Sequence, residues 1–166
     1  TEDSYVQQLD VVADLIFEPL RRVNQEKRLL DERDLHMMIT TFLPIQHVNH
    51  ALLLNLMDTC RLYSLDARVG EVLLRFTPFL KVYSDYCKMY ETINALVVRL
   101  SSSDKFTSFI KKQMHHAPPA LQNHSLASLL ITPVQRLPRY RLLLTEILKH
   151  TPATHPDYQS LQKALE

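Results

Sequence analysis

The sequence has a single glycine in 166 residues, where average usage would place roughly twelve. That scarcity excludes a good deal. Primed hairpin turns and β-bulges draw on glycine for their backbone angles, so an all-β fold is disfavoured. The dinucleotide fingerprint, the phosphate-binding P-loop and the nucleophile elbow each need several glycines at fixed spacing, and all three are ruled out. Tryptophan is absent and there are only two cysteines. Cys60 and Cys87 form neither a disulfide framework nor a metal-ligand spacing, so a reduced, cytoplasmic setting is expected. No apolar run approaches the roughly 18 residues of a membrane span, and no signal-peptide pattern is visible. The net charge is +1, which gives no electrostatic reason to expect a nucleic-acid partner.

What remains is globular. Hydrophobic residues make up 46% and charged residues 22% of the chain, a balance suited to one domain with a sizeable core. The hydrophobic period is close to 3.6 almost throughout. Tyr5, Leu9, Val12 and Ile16 share one helical face, with Glu2 and Asp3 in the first turn, where negative charge suits the helix dipole. Pro19 predicts a kink or an end. The polar run from Arg21 to Arg28 then reads as an exposed continuation or as a loop. Asp31 is placed to cap a second helix, with Leu35, Met38, Ile39 and Phe42 as its stripe. Pro44 predicts an interruption before Val48, Leu52 and Leu56. Asp66 is a candidate cap for the next helix, with Val69, Val72, Leu73 and Phe76 inward and Pro78 bending it. A longer stripe runs through Phe79, Tyr83, Tyr86, Tyr90, Ile93, Val97 and Leu100. Its tyrosines read as buried packing rather than as phosphorylation sites. Residues 101–104 read as a turn, and Phe106, Phe109, Ile110 and Met114 as a short amphipathic helix. The prolines after His115 and His116 predict a loop. Asp157 starts a final helix with Tyr158, Leu161 and Leu165. The expected fold is all-α, an elongated bundle of about six helices, several of them longer than about 30 Å at 1.5 Å per residue.

The segment with most information begins at Ser125: SLASLLITPVQRLPRYRLLLTEILKH. Its leucines cover more than one face, the mark of a helix in the middle of a bundle. Gln135, Arg136, Arg139 and Arg141 lie inside it, and such heads do not sit unpaired in a core. The helix must therefore surface along a strip between Thr132 and Arg141. Pro133 and Pro138 each cost about 3 kcal/mol in a regular helix interior. Either the bend they impose has a use, or Pro133 stands harmlessly at the start of a new helix.

The run LLITPVQRLPRYRLLLTEILKHT resembles the third signature region of the Dbl homology domain, the exchange-factor domain for Rho-family GTPases. TEDSYVQQL, from Thr1 to Leu9, resembles the first region with its TE-x-x-YV opening. VGEVLLRFTPFLKVYSDYCKMY, from Val69 to Tyr90, resembles the second. The resemblance covers residues 1–166 as one domain.

The resemblance implies an exchange factor that performs no covalent chemistry and holds no cofactor. It would bind the switch regions of a Rho-family small GTPase, of Rho, Rac or Cdc42 type, and stabilise the nucleotide-free state. Site residues carry over by position. Glu2 contacts switch I, against a plain reading as a dipole-favourable charge. Arg139 contacts switch II, against a solvated arginine. Gln135 matches the glutamine of the motif, against a helix-surface hydrogen bond. Ser128, Ile131 and Leu142 flank the contact, with core packing the stronger alternative for Leu142. Arg136 and Tyr140 are expected on another side of the helix, as an internal ion pair and a packed ring.

The family's last helix usually runs further and a pleckstrin-homology domain follows, so the chain reads as a fragment with its last helix incomplete, a monomer that reaches a membrane only through that flanking domain. Two other classes compete. One is a helical scaffold of the same fold without exchange activity, disfavoured because Glu2, Gln135 and Arg139 are all present. The other is a metalloprotein using His47 with His50 or His115 with His116, disfavoured because no carboxylate stands at ligand spacing.

Overall fold

The computed structural model describes residues 1–61 and 67–166. Every regular element among them is helical: α1 (Glu2–Asp10), a π-helical stretch (Val11–Phe17), α2 (Glu18–Lys27), α3 (Glu32–Cys60), α4 (Val69–Phe76), a 3₁₀ turn (Thr77–Lys81), α5 (Val82–Leu100), α6 (Asp104–Met114), α7 (Leu126–Leu130), α8 (Thr132–Lys149) and α9 (Tyr158–Leu165). Where one element runs directly into the next they make a single rod. The described residues thus form seven rods, residues 2–27, 32–60, 69–100, 104–114, 126–130, 132–149 and 158–165. The 29 residues of α3 reach about 43 Å at 1.5 Å per residue, so the bundle is elongated.

Three prolines expected to break helices do so less than their chemistry suggests. At Pro19 the rod continues through residue 27. The wider π-helical turn comes just before it, where the ring would otherwise meet the carbonyl four residues back. The polar run after Pro19 is therefore an exposed helical continuation. It ends at Arg28, which takes the left-handed C-cap conformation at φ 45° that glycine-richer chains give to glycine. Pro44 lies inside α3 without interrupting it. The hydroxyls of Thr40 and Thr41 donate to the carbonyls of His36 and Met37, each at 2.8 Å, and packing against α1 and α5 carries the helix across the gap. Pro133 stands in the first turn of α8, the harmless alternative. The long helix expected over 126–150 is thereby two helices, divided at Ile131.

The stripes form the core. Tyr5, Leu9, Val12 and Ile16 bury against Leu35, Met38, Ile39 and Phe42, and Tyr83, Tyr86, Ile93 and Val97 close the far side. Phe17, Phe42 and Tyr86 stack edge to face at 5.4 and 5.8 Å. A smaller cluster joins Leu52, Val72 and Tyr140. Phe79 and Leu142 are large apolar residues outside the core, and of these Phe79 departs from the expected stripe. Phe79 is 59% exposed, because the 3₁₀ turn at Pro78 rotates it off the stripe that begins at Tyr83. Leu142 is 69% exposed, so core packing does not account for it.

Asp31 caps α3, its carboxylate accepting from the Arg33 N–H at 2.8 Å. The candidate cap Asp66 lies outside the described residues. Asp157 precedes α9 as expected, yet its carboxylate serves another helix. It accepts from the N–H groups of Gly70 and Glu71 at 2.6 and 2.9 Å and so caps α4 from across the fold. The single glycine belongs to the same junction. A Cβ on Gly70 would lie 2.6 Å from the Leu161 nitrogen, so only glycine lets α4 and α9 approach this closely.

Candidate functional site

The sequence of α8 divides by register. Pro133, Arg136, Tyr140 and Leu144 are buried, while Gln135, Arg139 and Leu142 are exposed. Gln135, Arg139 and Leu142 follow one another at spacings of four and three and so lie along one outward face. Ser128 on α7 is exposed and Ile131 at the junction is half-buried. The Ser128 hydroxyl donates to the Ser125 carbonyl at 2.8 Å, and its N–H donates to the Ser125 hydroxyl at 3.0 Å, which fixes the start of α7. Among the described residues neither Gln135 nor Arg139 has an ion-pair or side-chain hydrogen-bond partner.

Glu2 stands apart from that strip in one respect: it is 7% exposed. Its carboxylate is paired with the Arg136 guanidinium. The Tyr140 hydroxyl lies 2.9 and 3.0 Å from its two oxygens. Arg136 is also stacked between rings, 4.7 Å from the centre of Tyr5 and 4.6 Å from that of Tyr140, contacts worth about 0.5–2 kcal/mol each. Burial opposes its charge, but the Tyr140 hydroxyl and the Glu2 carboxylate outweigh burial and hold its pKa up. The expectation that Arg136 and Tyr140 face inward agrees with this packing, and the carboxylate they meet is Glu2.

Asn49 of α3 extends the network. Its amide donates to the Ile45 carbonyl and to the Tyr83 hydroxyl, each at 2.7 Å. Its oxygen lies 2.7 Å from the Tyr140 hydroxyl. Tyr83 and Tyr5 share a further bond at 3.0 Å. Burial raises the pKa of the phenols in this network; Tyr83 reaches about 12, because bonds from Tyr5 and Asn49 offset part of the burial, and Tyr5 and Tyr140 go higher. Reading the sequence for hydrophobic stripes passes over Asn49, although a signal was there. The spacing Phe42, Ile45, Asn49, Leu52 keeps one helical face, so a polar residue at its third place must be satisfied internally. Gln46 is buried too and donates to Asp10 at 2.8 Å, which ties α3 to the end of α1.

Between α1 and α8 lies a crevice of about 220 Å³, lined by Thr1, Ser4, Gln8, Gln135, Arg136 and Arg139 among others. It joins the two segments singled out from the sequence, mixes polar and apolar lining, and has Arg139 on its wall. His50 binds Asp10 at 2.6 Å, and His115 and His116 lie edge to face in the loop. Among the described residues no group of three or more histidines, cysteines or carboxylates is placed to hold a metal ion, and no helix is long and apolar enough to cross a membrane. The arrangement offers a shaped surface that presents Gln135 and Arg139 beside the start of α1.

Comparison with known proteins points the same way. The RhoGEF domain family model matches residues 1–166. The chain is 27% identical over its whole length to Rac guanine nucleotide exchange factor JJ of Dictyostelium discoideum, of which it covers 14%. It is 28% identical to the FYVE, RhoGEF and PH domain-containing protein 2 of Homo sapiens, again over its whole length and 25% of that protein. The chain thus spans a quarter or less of the curated relatives it matches. The structure of autoinhibited Vav1 superposes with a TM-score of 0.83 at 23% identity, over 99% of this chain and 29% of that one, which establishes the shared fold.

Proposed function

Because the chain belongs to the RhoGEF domain family, we propose that it binds a Rho-family small GTPase at its switch regions and promotes exchange of GDP for GTP. The observation that carries this reading is the divided register of α8. Gln135 and Arg139, unpaired among the described residues, and a 69% exposed Leu142 lie on the outward face, while the inward face is locked. Free polar heads beside an exposed leucine make a recognition surface, and the buried network behind them keeps it rigid.

Exchange then follows from linkage. A partner that binds the nucleotide-free GTPase more tightly than the loaded one weakens nucleotide affinity by the same factor, tenfold for every 1.4 kcal/mol or so of differential binding. No bond to the domain is made or broken. Arg139 would meet switch II, its planar fork matching a carboxylate or paired carbonyls better than a lysine would. Gln135, Ser128, Ile131 and Leu142 would flank it, and Glu2 would reach switch I from the first turn of α1. The Dictyostelium relative is named for Rac, so a Rac-type GTPase heads the panel to be tested.

The test is release of a fluorescent guanine nucleotide from a panel of Rho-, Rac- and Cdc42-type GTPases, with the chain beside its Arg139→Glu and Glu2→Gln variants. Acceleration with at least one GTPase, lost with Arg139→Glu while the helical content and melting temperature hold, is the expected result. No acceleration with any GTPase from the folded chain would leave a helical scaffold as the function.

A further inference from the structure

Tyr140 has one hydroxyl proton and three acceptor atoms around it: the two Glu2 oxygens at 2.9 and 3.0 Å and the Asn49 oxygen at 2.7 Å. The Asn49 amide cannot turn to relieve this. Its nitrogen already donates to the Ile45 carbonyl and the Tyr83 hydroxyl, and a flip would set two oxygens face to face at 2.7 Å. One donor therefore stands between two acceptors that both want it, in a site where an unmade hydrogen bond costs about 1–3 kcal/mol.

We propose that Asn49 is the standby acceptor that lets Glu2 leave its buried partners for the GTPase. The inference rests on the reading of Glu2 as a GTPase contact and explains how a residue only 7% exposed serves as one. While Glu2 is inward, Tyr140 divides its proton between Glu2 and Asn49. When Glu2 turns outward, the whole bond passes to Asn49 and the hydroxyl is never left unpaired. Arg136 keeps its place between the rings of Tyr5 and Tyr140, whose faces attract its charge after the carboxylate has gone. The route outward is short. Glu2 lies in the first turn of α1, and the crevice lined by Thr1, Ser4, Gln135 and Arg139 also has Arg136 in its wall. Asn49 touches no GTPase in this scheme and is a positioning residue.

The experiment is a double-mutant cycle on the full chain, measured as kcat and KM of nucleotide release from the GTPase that responds best. Asn49→Ala leaves Tyr140 with Glu2 as its only acceptor, so releasing Glu2 strands a buried hydroxyl. Its kcat should fall roughly tenfold, equal to about 1.4 kcal/mol. Tyr140→Phe removes the contested proton, and adding Asn49→Ala to it should change kcat no further. A merely structural Asn49 would instead give losses that add. Gly70→Ala, at the α4–α9 junction outside this network, should lower the melting temperature and leave kcat unchanged. If Asn49→Ala does not fold, Asn49→Cys enters the same cycle, its thiol being a poor acceptor. Full exchange by a folded Asn49 variant, or additive losses, overturns the proposal. Glu2→Gln in the same assay separates the two ideas: full activity there sinks the reading of Glu2 itself, whereas loss there with none at Asn49 sinks only the standby role.

Discussion

The two faces of α8 carry arginines three residues apart with opposite fates. Arg136 is 3% exposed, ion-paired and held between two rings. Arg139 is exposed and, among the described residues, without an ion-pair partner. The same side chain is a structural rivet at one position and an open hand at the other, and register alone decides which. The rivet is not conspicuous for net stability, because burying two charges costs several kcal/mol before their attraction repays it. Its contribution is to fix how α1, α3 and α8 sit together.

Breaking the inward face should have the largest effect. Arg136→Ala strands the Glu2 carboxylate in a buried site and should cost about 3–5 kcal/mol, read as a drop in the denaturant midpoint. Arg139→Ala should leave that midpoint where it was and alter only binding. A reversal of this order would overturn the division of the helix.

High pH sharpens the contrast, since the phenols of the network are all inward. Burial raises the pKa of Tyr5, Tyr83 and Tyr140, that of Tyr83 to about 12. Their unfolded value is about 10. A group whose pKa is higher when folded keeps its full contribution below the unfolded value and loses it as the pH climbs past. Stability should thus be level to about pH 9.5 and then fall, by up to about 1.4 kcal/mol per pH unit for each such phenol. Denaturant melts across that range, with Tyr140→Phe expected to fall less steeply than the parent, would check it.

Gly70→Ala tests a region remote from both faces and should cost about 1–3 kcal/mol by overpacking. Its expected signature is a lower melting temperature with normal nucleotide release from the protein still folded, provided that the α4–α9 junction only supports the bundle.

Much of this was legible in the sequence, and the exceptions have physical causes. Stripes such as Tyr5, Leu9, Val12 and Ile16 announced the helices, because burial of one face imposes a period. The inward turn of Arg136 and Tyr140 was legible as well, since a core helix has to pair such groups. Pro19 and Pro44 misled, because intrinsic propensity yields to tertiary packing in a long, well-buried rod. Phe79 misled because period alone does not say how a 3₁₀ turn shifts the phase. Asn49 was passed over as a polar residue on an apolar stripe, and its partners come from residues 34 and 91 positions away. The partner of Arg136 lies 134 residues away, beyond any local pattern.

The Asp157 carboxylate on the N–H groups of Gly70 and Glu71 also bears on how the chain is made. A ribosome delivers α4 some 87 residues before its cap. At synthesis rates of about 5–20 residues per second, the start of that helix waits several seconds with its donors open to water. The start of α4 therefore stays uncapped until residue 157 has left the exit tunnel, which makes this junction a late step of folding during synthesis.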